Sequence, residues 1–282
     1  MEKLRLMSNN IWKNDENRPA WAAKGEDCSA LHRAKGFARV YLATKPDVLG
    51  LQESSPLMAD EIMAHLTAAG EPYALLWGKD TPVIYRTDRF ELVDSEFCMF
   101  PESIPGLEGQ FNNHKTKSYC IAVLRTKGEG KLLIFASVHL WWKQERDASA
   151  PDYYPGSDAA RVWQVEALMR RLEEYREKYH CPVVFLGDMN AAYAAPAIGA
   201  ALRHGYVHGH DAAVEYKDET NGHHYCYADG YRGYQPTEFS RAIDHVFVKG
   251  APEGFVRRFE RYYPDEYMAL SDHFPMWIDV EY

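Results

Sequence analysis

The sequence predicts an α/β fold in which two β-sheets pack face to face and helices cover their outer faces. Apolar runs of strand length recur along the whole 282-residue chain, and only a few segments between them have helical periodicity. No internal repeat or low-complexity linker divides the sequence, and a chain of this length can form one domain. We therefore expect a single domain over residues 1–282.

Eight segments have the length and composition of β-strands. They are either continuously apolar or alternate apolar with polar residues, as strands with two or one buried faces do. In chain order, the predicted strands are residues 4–7, 48–51, 83–85, 121–124, 132–138, 183–186, 243–248 and 276–280.

Three segments between these strands are predicted helices. Ser55 is a suitable N-cap before a proline, and Gly70 is a suitable C-terminal cap, so a helix of about four turns should lie between them. Residues 158–179 repeat apolar side chains at spacings of three and four. Residues 31–42 form the third helix, which should end before Pro46 because proline disfavours helix at the preceding residue.

Two stretches, residues 142–157 and 204–240, have the composition of long loops, which are usually functional or disordered. The second loop is rich in histidine. Its histidines are His204, His208, His210, His223 and His224. Because no helical pattern holds them at fixed spacing, surface histidines explain the cluster better than a zinc site does.

The net charge of −9 argues against a protein that grips a long nucleic-acid backbone. Extended nucleic acid is therefore not an expected partner, and we expect a compact substrate and a monomeric protein. The few basic groups are interpreted as solvated faces without a role in the site. They are Lys115 with Lys117, Arg170 with Arg171, and Arg257 with Arg258.

The five cysteines are odd in number and widely spaced, which predicts reduced thiols rather than a disulfide framework. Charged residues lie near Met1, where a signal peptide would need its apolar centre, and no apolar run is long enough to span a membrane. We therefore expect a cytoplasmic protein without an integral membrane segment. An exported chain that had already lost a signal peptide remains the alternative.

Polar side chains repeatedly follow or begin the predicted strands. Each has an ordinary explanation when taken singly, such as a turn residue, a carboxylate at a helix start or a core histidine. If the strands share one sheet edge, these groups converge on one cleft, where carboxylates need a cation or hydrogen bonds. Oxygen ligands of this kind suit Mg²⁺ or Mn²⁺ rather than zinc. The residues are Asn10, Glu53, His139, Asp188, Asn190, Asp244, Asp272 and His273.

Over essentially its whole length the sequence resembles the endonuclease/exonuclease/phosphatase superfamily. The resemblance implies the deoxyribonuclease-like fold, a four-layer α/β/β/α sandwich of two mixed sheets with helices outside. Arg161 and Gln164, on the helix after His139, also fit the family pattern. The matching segments, in the order of the family, are MSNNI at 7–11, PDVLGLQE at 46–53, VIYR at 83–86 with DRF at 88–90, SVHL at 137–140, GDMN at 187–190, RAIDH at 241–245 and SDHFP at 271–275.

The resemblance also implies a metal site and a base. By analogy with the family, Glu53 would bind Mg²⁺ or Mn²⁺ directly with Asn10 beside it, and Asp272 would lie near the ion. Asp188 would orient or deprotonate the attacking water. An activated water, a cation and donors for the developing charge are what in-line attack on a phosphate requires.

Three residues are implied as donors to the phosphate oxygens: Asn190, His139 and His273. Asp244 resembles the family's partner of the last histidine, which fixes the tautomer of that ring and favours its charged form. No serine or cysteine occurs in a nucleophile motif, so a covalent intermediate is not implied.

The segment His139-Leu140 resembles the phosphatase, sphingomyelinase and deadenylase branches rather than the apurinic endonucleases. His245 departs from the family, which often has an aromatic residue there, and it is interpreted either as a substrate contact or as a surface histidine. Trp141 and Trp142 either stack on the leaving group or anchor their loop on the core. The sequence leaves both questions open.

Three functions follow as hypotheses. The first, which we favour, is a metal-dependent phosphoesterase acting on phosphomonoesters or phosphodiesters of a small molecule, sugar or lipid headgroup. The second is a nuclease or deadenylase acting on nucleic-acid ends, which salt-dependent binding of single strands would distinguish. The third is a catalytically silent binding module, which the complete set of site residues disfavours.

Overall fold

A computed structural model describes residues 1–217, 242–262, 264, 267 and 269–282. The strands in these ranges are β1 (Lys3–Asn10), β2 (Val48–Gln52), β3 (Tyr73–Leu76), β4 (Val83–Arg86), β5 (Phe90–Met99), β6 (Ser118–Thr126), β7 (Leu132–His139), β8 (Val183–Asp188), β9 (Val207–His208), β10 (Glu215–Lys217), β11 (Asp244–Lys249), β12 (Val256–Arg261) and β13 (Met276–Glu281). The helices there are α1 (Pro19–Ala22), α2 (Ala30–Thr44), α3 (Pro56–Ala68), α4 (Ser157–Tyr179), α5 (Pro196–Arg203) and α6 (Gly209–Ala212).

The strands form two mixed sheets. The first has the strand order β10-β12-β13-β1-β2-β4-β3, and the second has the order β5-β6-β7-β8-β11-β9. In the middle of each sheet one pair is parallel, β1 with β2 and β7 with β8, and antiparallel strands flank that pair. Each of these two central pairs is connected through a helix, α2 or α4, as a parallel connection requires. At the edge of the first sheet, β10 also pairs with β12 in parallel.

The sheets pack against each other through one face and against helices through the other. On β7, Leu133 and Phe135 lie in the core between the sheets, whereas Ile134 packs under α4 and α5. On β1, Leu6 faces the other sheet and Met7 faces α2 and α3. Because side chains alternate along a strand, both faces of each sheet are apolar and buried. The four-layer α/β/β/α sandwich is therefore confirmed.

All eight predicted strands and all three predicted helices form. Ser55 caps α3 by accepting a hydrogen bond from the Met58 amide, as its position in the sequence predicts. The strands β5 and β12 were not predicted, because both interleave charged residues with apolar ones and lie outside the centre of their sheets.

The prediction of one continuous loop over residues 204–240 is wrong for its described part, which contains β9, α6 and β10. His223, His224, Cys226 and Arg241 lie outside the described residues.

The four described cysteines are free thiols: Cys28, Cys98, Cys120 and Cys181. Within the described ranges, no helix has both the length and the apolar composition needed to cross a membrane.

Candidate active site

The strand topology brings the predicted site residues to one edge of the sandwich. The parallel pairs β1–β2 and β7–β8 both end at this edge. β11 is antiparallel to β8 and β13 is antiparallel to β1, so both of these strands begin where their neighbours end. Side chains at the ends of four strands and the beginnings of two therefore meet in one cleft.

Two glycines allow the chain to approach closely beneath this cleft. Gly187 has φ of 147°, and a Cβ added there would lie 1.9 Å from the carbonyl oxygen of Val138. A Cβ on Gly50 would lie 2.8 Å from Leu186 and 2.9 Å from Ser137, both on the other sheet. Any side chain at these positions would push apart the strands that carry the cleft.

Asp188 lies at the centre of the cleft and is buried. Its Oδ2 accepts a hydrogen bond of 3.0 Å from Nδ2 of Asn10, and its Oδ1 accepts one of 2.8 Å from the backbone amide of Asn190. Nε2 of His139 lies 3.4 Å from the same Oδ2, and Nε2 of His273 lies 3.8 Å from it. The structure thus brings together five residues that the sequence assigned to the site.

Each of the two imidazoles is held by a buried carboxylate. Nδ1 of His273 lies 2.6 Å from Oδ2 of Asp244, as predicted from the sequence. Nδ1 of His139 lies 2.6 Å from Oδ2 of Asp80, a residue that the sequence analysis did not identify. In both pairs an Nδ1–H donates to the carboxylate, so Nε2 is the ring nitrogen that faces Asp188.

Charges around His273 favour its protonated form. Burial acts to lower the pKa of His273, but the negative charges of Asp244 and Asp188 and the hydrogen bond to Asp244 outweigh it, so the pKa lies well above its ordinary value. An imidazolium that is aimed at Asp188 can donate to an anion bound between them.

Lys117 lies inside the cleft, so its interpretation as part of a solvated face is wrong. Its side chain is 4% exposed, and its Nζ lies 2.5 Å from Nε2 of His139. Burial lowers the pKa of Lys117, while the charges of Asp80 and Glu53 oppose that change. The sequence grouped this lysine with Lys115 as one basic pair, and only Lys115 lies on the surface, with a side chain 61% exposed.

Glu53 follows β2 and turns back into the cleft, because its backbone adopts a positive φ of 57°. Its Oε2 accepts a hydrogen bond of 3.1 Å from the amide of Lys13, and its Oε1 lies 4.0 Å from Nε2 of His139. Partial burial acts to raise the pKa of Glu53, but its electrostatic interactions with His139 and Lys117 lower it to about 2. Glu53 is therefore a carboxylate at any ordinary pH.

Asp272 has a buried oxygen atom, Oδ1, without a hydrogen-bond partner in the described part of the protein. Burial and the negative charges of Glu53 and Asp188 raise the pKa of Asp272 to about 7, although the positive charge of His273 opposes them. A buried carboxylate oxygen of this kind needs a cation or a proton.

The donor set fits a hard divalent cation. Ligand atoms of Glu53, His139 and Asp188 lie within 4.8 Å of one another, and the unpartnered oxygen of Asp272 adds a further candidate. Oδ1 of Asn10 accepts a hydrogen bond from the Trp12 amide, and a carbonyl oxygen retains a second acceptor position. Oxygen donors predominate in this set, which is the chemistry that Mg²⁺ or Mn²⁺ prefers.

Asn190 lies at the rim of the cleft with a positive φ of 47°. Its Nδ2 donates to the carbonyl oxygen of Leu140 at 3.1 Å, which ties the turn after β8 to the turn after β7. An amide nitrogen carries two hydrogens, so the second N–H of Asn190 is the one that a ligand can use.

Arg33 connects the two loops that carry Asn10 and Asp272, and the sequence analysis did not identify it. This buried guanidinium donates to the carbonyl oxygen of Ile11 at 2.7 Å and to that of Leu270 at 2.8 Å. Burial lowers its pKa to about 10. An arginine on the buried face of the predicted helix at 31–42 was the available indication of this role.

The interpretation of His245 as a surface histidine is wrong, since this side chain is buried. Its Nε2 donates to the carbonyl oxygen of Ala191 at 2.8 Å, so its Nδ1 accepts a hydrogen bond from Nε2 of His208 at 2.9 Å. His208 is buried as well, so the surface interpretation is also wrong for that member of the loop cluster. In turn, Nδ1 of His208 accepts a hydrogen bond from the amide of His210.

Trp141 anchors the loop after β7, whereas Trp142 is 41% exposed beside the cleft. The ring of Trp141 is buried edge to face against Phe111, and its Nε1 donates to Oγ of Ser157. Gln164 accepts a hydrogen bond from the amide of Trp141 at 2.9 Å. Of the two aromatic neighbours, only Trp142 presents a face to the solvent.

Comparison with known proteins gives one family and a consistent set of folds. The family model described as Endonuclease/Exonuclease/phosphatase family matches residues 10–273. No curated protein matches the sequence significantly.

Several solved structures are similar over the whole chain. A protein described as an endonuclease/exonuclease/phosphatase from Bacteroides vulgatus is 20% identical, with a TM-score of 0.73 and coverage of 100% of this chain and 99% of its own. A mannosyl-6-phosphatase from Bacteroides thetaiotaomicron is 18% identical, with a TM-score of 0.71 and coverage of 99% and 100%. TDP2 from D. rerio, in complex with single-strand DNA product, is 18% identical, with a TM-score of 0.65 and coverage of 100% of both chains.

Proposed function

We propose, from the premise that this chain belongs to the endonuclease/exonuclease/phosphatase family, that its cleft hydrolyses small phosphate esters by direct attack of water. Members of the family are metal-dependent phosphoester hydrolases, and this chain is an enzyme of that class. The proposed substrates are phosphomonoesters or phosphodiesters of a small molecule, a sugar or a lipid headgroup.

One observation carries the proposal. Oδ2 of Asp188 accepts a hydrogen bond from Asn10 and lies between two imidazoles, His139 at 3.4 Å and His273 at 3.8 Å. A carboxylate that bonds to a neutral amide keeps lone pairs for a water molecule, while the protonated imidazole of His273 beside it can hold an anion. A base and anion-binding groups at one point are what hydrolysis of a phosphate by water requires.

In this mechanism Asp188 accepts a proton from the water that attacks phosphorus, and the amide of Asn10 fixes the direction of the carboxylate. The ester P–O bond breaks as the new P–O bond forms, and the departing alkoxide takes a proton from solvent. His273 donates through Nε2–H to a nonbridging phosphate oxygen, because its ring is protonated and its Nδ1–H is already bound to Asp244 at 2.6 Å. His139, with Lys117 beside it, lines the opposite side of the bound phosphate. Asn190 offers its second side-chain N–H at the rim.

Glu53, Asp272 and Asn10 would hold a divalent cation, for which we propose Mg²⁺ or Mn²⁺. The buried oxygen of Asp272, which has no hydrogen-bond partner among the described residues, supports this assignment. When bound, the cation supplies positive charge that offsets the charge developing on the phosphate. The three residues themselves fix where that charge lies relative to Asp188.

The net charge of −9 supports a compact substrate over an extended nucleic acid. One structural neighbour is a mannosyl-6-phosphatase and another is TDP2 in complex with single-strand DNA product. At 18% identity these neighbours show the shared fold alone. Their substrate classes are therefore included only as candidate substrates in the experiment below.

The test is hydrolysis of a panel consisting of p-nitrophenyl phosphate, bis-p-nitrophenyl phosphate, mannose 6-phosphate, inositol phosphates, sphingomyelin and short oligonucleotides, each with Mg²⁺ or Mn²⁺ and with EDTA. We expect metal-dependent turnover of small esters that EDTA abolishes. Turnover confined to the oligonucleotides would replace this proposal with a nuclease function. Turnover that persists in EDTA would contradict the metal site.

A further inference from the structure

We propose that Lys117 is a further catalytic residue, which binds a terminal oxygen of the substrate phosphate and makes the cleft selective for phosphomonoesters over phosphodiesters. This inference rests on the proposed function, since it names the substrate class of the same site. From the sequence, Lys117 was interpreted as part of a solvated face without a role in the site.

The register of the second sheet places Lys117 against His139. Lys117 immediately precedes β6, whose first residue, Ser118, pairs with His139 at the end of β7. The lysine side chain therefore enters the cleft from the neighbouring strand and is 4% exposed. Nζ lies 2.5 Å from Nε2 of His139 and 3.4 Å from Nδ1.

The hydrogen-bond directions in this group follow from its geometry. Nδ1–H of His139 donates to Asp80 at 2.6 Å, so Nε2 of His139 carries the lone pair that accepts from Nζ–H of Lys117. An Nε2–H would face the lysine ammonium donor to donor. On this side of the cleft, Lys117 rather than His139 is therefore the hydrogen-bond donor.

The ammonium of Lys117 has N–H groups that make no hydrogen bond among the described residues. An ammonium carries three N–H groups, and among the residues that the structure describes His139 is its only hydrogen-bond partner. Glu53 and Asp80 interact with its charge, but neither forms an ion pair with it. A buried cation with unused donors is costly unless an anion binds to it, so the cleft is prepared for one.

The two sides of the cleft consequently differ. On one side, the Nε2 of His273 is aimed at Asp188, with Asp244 behind the ring. On the other side, His139 positions Lys117, whose ammonium has two further N–H groups without a partner among the described residues. A phosphate bound between them meets an imidazole on one side and an ammonium on the other.

This arrangement matches a phosphomonoester better than a phosphodiester. A monoester carries a charge of about −1.5 to −2 near neutral pH and three terminal oxygens. A diester carries one negative charge and two terminal oxygens, and a carbon substituent takes the place of the third. Such a substituent would leave the buried ammonium of Lys117 with its hydrogen bond to His139 but without an anionic partner, at the cost of its desolvation.

The experiment compares wild type with Lys117→Met on p-nitrophenyl phosphate and bis-p-nitrophenyl phosphate in Mg²⁺. We expect wild type to prefer the monoester. Lys117→Met should lower kcat/KM for the monoester by about 100-fold, the effect of one lost charge-assisted hydrogen bond, and lower that for the diester by less than about 5-fold. The variant Lys115→Met is the matched control, because that side chain is 61% exposed, and it should leave both rates unchanged.

Binding of inorganic phosphate, measured by calorimetry in Mg²⁺, is the second readout. Lys117→Met should weaken it by about 10-fold or more. Thermal melts report whether the variant folds, and Lys117→Gln replaces it if it does not.

Three outcomes would each overturn the role of Lys117. In Lys117→Met, kcat/KM could fall equally for both esters, or it could fall for neither. The third outcome is that wild type prefers the diester. If wild type hydrolyses neither ester, the proposed function fails for these substrates. In that case unchanged phosphate binding by Lys117→Met would overturn this inference separately, and weakened binding would support it.

Discussion

Oδ2 of Asp80 lies 2.6 Å from Nδ1 of His139, the same distance that separates Asp244 from His273 on the other side of the cleft. Both carboxylates are buried, and both leave Nε2 of the ring facing Asp188. The cleft therefore contains two carboxylate–imidazole pairs around one central carboxylate. Each pair joins the two sheets, since Asp80 lies between β3 and β4 and His273 precedes β13 in the first sheet, whereas His139 ends β7 and Asp244 begins β11 in the second.

Asp80→Asn should lower kcat by about 10- to 100-fold, in the range found when a residue that orients a functional imidazole is removed. The amide can present its NH₂ group to Nδ1, which would favour the other tautomer of His139 and place a hydrogen on Nε2 against Lys117. Steady-state kinetics on the best substrate of the panel measure the effect. A rate equal to that of Asp60→Asn, an exposed aspartate on α3, would show that Asp80 has no role.

Asp188→Asn and His273→Ala should each lower kcat by about 100-fold or more, as expected for loss of a general base or of a charged donor. In Asp188→Asn the carboxylate that would accept the proton is absent, and the single amide oxygen cannot keep the hydrogen bonds from both Asn10 and the backbone of Asn190. Single-turnover rates measure the chemical step directly. Wild-type rates in either variant, with folding shown by circular dichroism, would refute the mechanism.

Binding of Mg²⁺ or Mn²⁺ should raise the Tm of the metal-free protein, because a ligand that binds only the folded state stabilises it by mass action. At about 100 times its Kd the cation adds about 2.7 kcal/mol to the free energy of unfolding. Glu53→Gln should lose most of this increase in Tm, while Asp60→Asn, at an exposed position of α3, serves as the control. An equal shift in Glu53→Gln would exclude Glu53 as a ligand.

The free energy of unfolding should fall as the pH is lowered from about 6.5 to about 4, partly because of His245. Burial lowers the pKa of His245 to about 4, and that of His208 lies well below its ordinary value. Between these pH values the unfolded chain binds protons that the folded chain does not, so acid favours unfolding. The lowered pKa of His245 alone corresponds to a loss of about 3 kcal/mol in the free energy of unfolding.

Other charged groups face this histidine pair. The charges of Arg261 and His210 further disfavour its protonation, whereas Asp188 favours it at His245. Urea denaturation across this pH range measures the dependence. His245→Gln should flatten it, since Gln does not titrate, and an unchanged slope in that variant would mean that other groups cause the acid instability.

Gly187→Ala should destabilise the fold by about 2–4 kcal/mol, because a methyl group at that position meets the Val138 carbonyl at 1.9 Å and requires an unfavourable φ. Activity should fall with stability, since Asp188 is the next residue. Gly199→Ala is the contrasting control: it lies within α5, and its nearest neighbour is 3.4 Å away, on the flexible side chain of Arg203. That variant should be neutral or more stable by about 0.5–1 kcal/mol.

The sequence by itself determined most of the layer architecture. All of its eight predicted strands form, because continuously apolar segments such as residues 183–186 must be buried on both faces. The hydrophobic pattern did not predict β5 and β12, because charged residues in these outer strands interrupt the alternation of apolar and polar residues. The cap at Ser55 was predictable because it depends only on residues adjacent in the chain.

The candidate site was likewise predictable only where a residue lies next to a strand along the chain. Asp188, His139 and His273 were identifiable because each directly follows or precedes a strand and matches a family motif. Asp80, Lys117 and Arg33 were not, since each acts through a partner far away in the sequence, 59, 22 and as many as 237 residues distant.

Only the tertiary structure decided which charged residues are buried. Lys115 and Lys117 are indistinguishable as sequence, yet one lies on the surface and the other contacts His139, because strand pairing sets which side chains enter the cleft. His245 likewise became a buried donor to Ala191 when β11 paired with β8. Local sequence fixes propensity and periodicity, whereas the environment of a charge depends on groups that only folding brings near it.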